Sequence, residues 1–158
     1  MEEHGITRVS WGSEKSFTQL TKVSVSQLLH GSVDDTYSDV ATYKGFHLNR
    51  VEIMGMVINE KNRDTRKYIS VDDGSGIIDC LITEVVCQKY LKRPIDSNEL
   101  QGRVIRVMGN LFFTPFSNLY QTVDGTGDLS ALCVLVDALS LPSDCNEEYI
   151  FWMEVIRN

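Results

Sequence analysis

No run of about 18 uncharged apolar residues occurs in the chain, so no segment reads as a membrane-spanning helix. The polar stretch Met1 to Ser16 lacks the apolar centre of a signal peptide, and a soluble, intracellular protein with no membrane partner is expected. Cysteine pairs at metal or redox spacing are missing as well, because Cys80, Cys87, Cys133 and Cys145 form no CxxC. Cys80 and Cys133 lie in strand-like runs, and buried thiols are expected in preference to a zinc site or a disulfide framework. The chain has no GxxxxGK[ST], GxGxxG or HExxH, and His4, His30 and His47 stand in unrelated contexts. Catalysis is not expected, and neither is a cofactor or a metal.

An excess of positive charge is the usual footprint of a nucleic-acid binder, and the whole chain lacks it, with a net charge of -7. The distribution changes this reading. Residues 1–43 carry three basic and six acidic residues, and residues 120–158 carry one and seven. The middle, 44–119, carries eleven basic and nine acidic residues and can present a local positive surface. At 158 residues and 42% apolar content the chain supports one proper core.

What is present is a succession of strand signals. Val51, Ile53, Gly55 and Val57 alternate with Glu52, Met54, Met56 and Ile58, predicting a first strand over about Arg50 to Asn59. A second is expected from about Arg66 to Asp72 and a third over Ile77 to Thr83, with Ile78, Cys80 and Ile82 inward. Between the first two lies Lys61-Asn62-Arg63-Asp64-Thr65-Arg66-Lys67, read as a loop with Lys61, Arg63, Arg66 and Lys67 as its basic residues. Asp72-Asp73-Gly74-Ser75-Gly76 lacks the ligand spacing of a calcium loop and the Lys of a phosphate loop, and reads as a tight hairpin; Asp124-Gly125-Thr126-Gly127 reads the same way.

A short helix is expected over Glu84 to Arg93, stopping at Pro94 and plugging one end of a barrel. A fourth strand follows at Arg103 to Phe113 and a fifth at Ala131 to Leu141. Five strands with a helix between the third and fourth is the order of the oligonucleotide/oligosaccharide-binding (OB) barrel, a mainly β fold. The expected organisation is an N-terminal extension over residues 1–43, the barrel over 44–142 and a C-terminal helix over 143–158. Ser24 to His30 reads as a short helical or strand-to-turn segment ending at Gly31, before a polar connection from Ser32 to Tyr43.

The tail helix, about Cys145 to Arg157, has Ser143 or Asp144 as its cap and Glu147 at capping-box spacing from Asp144. Its apolar residues Tyr149, Ile150, Phe151, Trp152, Met153, Val155 and Ile156 are too many for a single stripe against one barrel. A partner helix is expected on Tyr149, Trp152, Met153 and Ile156. For single-stranded nucleic acid, the expected phosphate contacts are Lys61, Arg63, Arg66, Lys67 and Arg106. Tyr68 and Phe112 are the stacking candidates, with Phe116 and Tyr120 behind them.

Three segments carry a resemblance to a known family: Val23-Ser24-Val25-Ser26-Gln27-Leu28-Leu29, the stretch Val51 to Cys80 with its Asp72-Asp73-Gly74-Ser75-Gly76 turn, and the tail with Asn146-Glu147-Glu148-Tyr149 and Met153-Glu154-Val155-Ile156. In order and spacing these resemble the middle OB subunits of replication protein A-like trimers, in both the general replication branch and the telomere-capping CST branch. The resemblance implies a C-terminal helix packed against a small OB-fold partner and a large OB-fold subunit completing the trimer. It also implies single-stranded DNA bound weakly by this subunit alone, and a nuclear, chromosomal location, telomeric in the CST branch. Leu81-Ile82-Thr83-Glu84 stands where family members often carry an aromatic, which leans slightly toward the telomeric branch. The alternatives are a general replication and repair subunit, or a protein-interaction scaffold of a helicase-topoisomerase complex without DNA contact.

Overall fold

The structure is a computed structural model that describes residues 19–29, 32–33, 41–43, 46–114 and 131–157. The polar N-terminus, His4, His30, Gly31, Phe116, Tyr120 and the Asp124 to Gly127 turn lie outside these. In chain order the elements are β1 (Thr21–Lys22), α1 (Val25–Leu29), β2 (Ser32–Val33), β3 (Ala41–Tyr43), β4 (Phe46–Leu48), β5 (Arg50–Arg63), β6 (Arg66–Asp72) and β7 (Ile77–Thr83). Then come α2 (Glu84–Val86), which runs on as a π-helical turn over Cys87–Leu91, β8 (Val104–Thr114), β9 (Ala131–Ser140) and α3 (Cys145–Arg157).

The sheet order is β1-β5-β6-β7-β9-β8, and β8 pairs back onto β5. β5 to β9 therefore close into a five-stranded barrel, antiparallel except for β7 against β9. β1 adds in parallel to β5, while β2, β3 and β4 make a small separate antiparallel sheet. Period-two alternation decides which side chains fill the barrel: Val51, Ile53, Val57, Ile69, Val71, Ile78, Cys80, Ile82, Ile105, Val107, Leu111 and Val134 are all buried in one cluster. The expected mainly β OB barrel with a helix between its third and fourth strands is what forms. Cys87 is buried, and Val86 and Leu91 pack on the core from the end that α2 covers.

The Asp72 to Gly76 turn does more than reverse the chain. Gly74 sits at φ +85°, a conformation costly for any residue with a Cβ. Asp73 Oδ1 accepts the backbone N–H groups of Ser75 and Gly76, at 2.9 and 3.2 Å. Its Oδ2 accepts the N–H of Val25 at 2.8 Å, and Ser75 Oγ accepts that of Ser26 at 2.9 Å. The turn thus satisfies the first orphan donors of α1, while Ser24 and Gln27 complete a capping box, Ser24 N–H to Gln27 Oε1 and Gln27 N–H to Ser24 Oγ. The first two segments of the family resemblance are bonded to each other.

Lys61 to Lys67 is not a loop. β5 runs on to Arg63, β6 begins at Arg66, and only Asp64, at φ +56°, and Thr65 make the turn. The register Lys61↔Tyr68, Asn62↔Lys67 and Arg63↔Arg66 continues the hairpin to its tip. Lys67 shares inward parity with Ile69 and Val71, and its side chain is fully buried. Its ammonium donates to Glu60 Oε1 at 2.5 Å, Asn62 Oδ1 at 2.9 Å and the carbonyl of Ser97 at 2.7 Å, which uses all three donors. Glu60 is equally buried, and its Oε2 accepts the N–H groups of Leu100 and Gln101.

Breaking a buried pair from one side strands the other charge, which costs about 3 to 5 kcal/mol. Lys67→Met should lower the unfolding free energy by about that amount, read as a shift of the denaturant midpoint at unchanged slope.

Candidate nucleic-acid and partner interfaces

Directly paired residues point to the same side of a sheet, so register alone assembles the outer face of the hairpin. Lys61 lies opposite Tyr68 and Arg63 opposite Arg66; Tyr68 in turn pairs with Leu81, and Leu81 with Leu135. One face therefore carries three exposed cations, the half-buried ring of Tyr68, the half-buried Leu81 and the exposed Leu135. The next row across the barrel is Ser70, Asp79, Cys133 and Phe112. Phe112 is half-buried there, three strands across the sheet from Tyr68 and one row further along, about 16 Å away measured along the sheet. Both rings have outward parity, with the buried Ser70 and Cys133 between them.

Two expected phosphate contacts do not join it. Lys67 is enclosed in the barrel, because the parity that turns Arg66 and Tyr68 outward turns it inward. Arg106 pairs in register with Met54 and Ser140, and its Nε lies 3.3 Å from a carboxylate oxygen of the buried Glu52. Seven residues separate Met54 from Lys61 along β5, about 23 Å at 3.3 Å per residue. Arg106 belongs to the opposite end, beside α3. Leu81, from the run that stands where relatives often carry an aromatic, joins the face through its pairing with Tyr68, and Leu135, not singled out from the sequence, joins it through the parallel pairing of β7 with β9.

The second surface is α3. Asp144 caps it: Oδ1 accepts the N–H of Asn146 at 2.9 Å, and that bond, with a second to the Asn146 side chain, holds the Asp144 carboxyl below its usual range. Glu147 instead accepts from the Ser143 hydroxyl at 3.3 Å. Phe151 and Val155 are buried against Met54, with Val104 and Trp152 packed on the same cluster. Lys22 of β1 pairs with Glu154, and its ammonium stands 5.9 Å from the centre of the Phe151 ring.

At 100° per residue the rest of the apolar set points the other way. Tyr149, Ile150, Met153 and Ile156 remain 76%, 55%, 66% and 81% exposed. Tyr149, Met153 and Ile156 thus form the expected free face, with Ile150 beside them. Trp152 is half-buried and meets Phe151 edge to face at 6.3 Å, so it lies at the seam with the barrel and not in the middle of that face. An exposed apolar surface of this kind marks a contact site.

No group of three or more His, Cys, Asp or Glu among the described residues could hold a metal ion, and no helix among them is long and apolar enough to cross a membrane. A family model described as "Telomere regulation protein Stn1" matches residues 15–158. The chain belongs to the Stn1 family. The CST complex subunit STN1 of Mus musculus is 31% identical over 97 residues, which cover 61% of this chain and 24% of the mouse protein. The chain therefore spans about a quarter of that relative's length. The Stn1-type fold agrees with the crystal structure of yeast Stn1 and Ten1, with a TM-score of 0.69 at 16% identity over 99% of this chain and 84% of that one. Yeast RPA bound to ssDNA gives a TM-score of 0.59 at 19% identity over 88% of each chain. At such identities the likeness is one of fold.

The cysteines fall into two classes. Cys80, Cys87 and Cys133 are buried, whereas Cys145, at the start of α3, is exposed, so the expectation of buried thiols fails there. Burial pushes the Cys80 thiol well up and that of Cys133 up to about 12, each also raised by Asp79; burial raises Cys87 too, against the opposing pull of Lys67. The thiolate is the reactive form, and below these values it is scarce. At pH 8 the folded protein should show one fast-reacting thiol toward a disulfide reagent, Cys145, and four after unfolding, counted by absorbance. Because the neutral Cys133 thiol is favoured in the fold, its contribution to stability is complete below pH 9.0 and is lost as pH rises toward about 12.

Proposed function

We propose that this chain is a non-catalytic OB-fold subunit of a single-stranded DNA-binding complex of the replication protein A type, acting in telomere end protection on nuclear chromosomes. The observation that carries the proposal is α3, held to the barrel by Phe151 and Val155 while its opposite apolar face stands in water. Covering Tyr149, Ile150, Met153 and Ile156 gains roughly 1.5 to 3 kcal/mol for each side chain fully buried. A helix of a small OB-fold protein supplies that cover, as the pairing of Stn1 with Ten1 in the yeast structure suggests. A large OB-fold subunit completes the trimer. In this reading residues 44–142 serve as the barrel unit, 1–43 as its N-terminal extension and 143–158 as the dimerisation helix. Family membership favours the telomeric branch over general replication.

Single-stranded DNA follows the face of Lys61, Arg63, Arg66, Tyr68 and Phe112, with phosphates at the hairpin tip and bases against the rings. Three cations give weak binding for this subunit alone. Each neutralised phosphate contributes about 0.7 to the slope of log K against log salt for a single strand, so Arg63→Glu/Arg66→Glu should flatten the slope of the purified heterodimer by about 1.4 and leave the heterodimer intact. Met153→Glu/Ile156→Glu should abolish co-purification with the small partner while the melting temperature of the isolated chain stays within a few degrees. A heterodimer with no salt-dependent binding to single strands would sink the DNA role. A chain that stays monomeric with its partner in excess would sink the helix contact.

A further inference from the structure

We infer that Lys67 is a positioning residue that bolts the basic hairpin to a strut made by residues 97–101, and that the DNA affinity of the hairpin depends on this bolt; the inference rests on the DNA-binding reading above. β5 loses its main-chain partner on one edge early. Its pairing with β8 ends at Met56↔Val104, and the last backbone contacts are Val57 N–H to the Arg103 carbonyl and Gly102 N–H to the Val57 carbonyl. From Ile58 to Asn62 that edge is held by side-chain bonds to residues 98–101. Gln101 Nε2 donates to the Ile58 carbonyl at 3.3 Å, Glu60 Oε2 accepts from Leu100 and Gln101 at 2.9 and 3.1 Å, and Asn62 Nδ2 donates to Asn98 Oδ1 at 2.9 Å.

Lys67 closes this network from β6 by reaching Glu60, Asn62 and the Ser97 carbonyl together. The Asn62↔Lys67 rung lies immediately before Arg63↔Arg66, so the bolt sits directly behind the two arginines. An unpaired edge that would otherwise fray is fixed, and cations already fixed lose less entropy when phosphates bind. The contribution of Lys67 to DNA binding is therefore geometric. Its charge is matched by Glu60 inside the barrel and never meets the ligand.

The test compares Asn62→Ala, which takes one acceptor from Lys67 and the Asn98 bond from β5 but leaves the buried ion pair, with Lys67→Met/Glu60→Leu, which removes that pair and its bonds at unchanged net charge. In the purified heterodimer, amide hydrogen exchange at residues 61–66 should accelerate at least about tenfold in both while core amides keep their protection. Affinity for an oligothymidine strand should fall about tenfold. Should the double variant fail to fold, Asn62→Ala alone decides. Unchanged exchange at residues 61–66 overturns the strut whatever the DNA result. Faster exchange with unchanged affinity, where Arg63→Glu/Arg66→Glu does weaken binding, overturns the link to DNA. If that arginine variant binds as well as the parent, the DNA-binding reading falls instead, and exchange alone decides the strut.

Discussion

The change of partner along β5 is the constraint on which the other features depend. From Arg50 to Met56 this strand pairs with β8, and from Met56 to Arg63 it pairs with β6. One strand can serve both ends of a closed barrel only if it coils strongly where the partners exchange, which brings backbones unusually close. Gly55 occupies that point: a Cβ there would stand 2.5 Å from the Asp72 carbonyl oxygen, closer than any side chain allows. The irregularity between Val57 and Asn59 follows at once.

The two halves of β5 then do different work with the same alternation. In the first half the outward residue Met54 is buried against Phe151 and Val155 of α3, and Glu52 is buried beside Arg106. In the second half Lys61 and Arg63 face water, and the inward residue Glu60 has run past the apolar core into the barrel end, where a charge is tolerable only when fully bonded. Lys67 and the amides of Leu100 and Gln101 supply the bonds. The barrel end is closed by a salt bridge where its middle is closed by valine and isoleucine.

The fold was legible in the sequence because its strands alternate cleanly and the break between β7 and β8 reads as a helix. The location of the basic face was legible too, since the parity of Arg66 and Tyr68 against Ile69 and Val71 fixes which side is outward. That same parity places Lys67 inward. The turn formers Asn62 and Asp64 mask this by giving the stretch the composition of a loop, although the alternation continues through it. Arg106 could not be placed from its own strand: parity gives its side of β8, but only pairing with β5 puts it beside α3. The Asp72 to Gly76 turn was correctly read as a hairpin, yet its role as a cap for α1 rests on a bond spanning 48 residues of sequence. Local pattern carries no such information. Trp152 shows the same limit, since hydropathy marks it as apolar and only docking decides that it lies at the seam.

Taken over the whole chain, a net charge of -7 opposes binding to a polyanion, and the length of β5 resolves the conflict. The acidic residues of α3, Glu147, Glu148 and Glu154, sit on the element that covers Met54, and Glu154 is matched by Lys22. Met54 and Arg63 are nine residues apart along β5, at most about 30 Å, whereas charges are screened over about 8 Å at physiological salt. The hairpin tip is therefore governed by its own charges, Lys61, Arg63 and Arg66 against Asp64, and not by the sum over the chain. Having Lys67 and Glu60 cancel each other inside the barrel leaves Lys61, Arg63 and Arg66 as a local excess at the tip, while the apolar face of α3 stays far enough away to be covered by a protein at the same time.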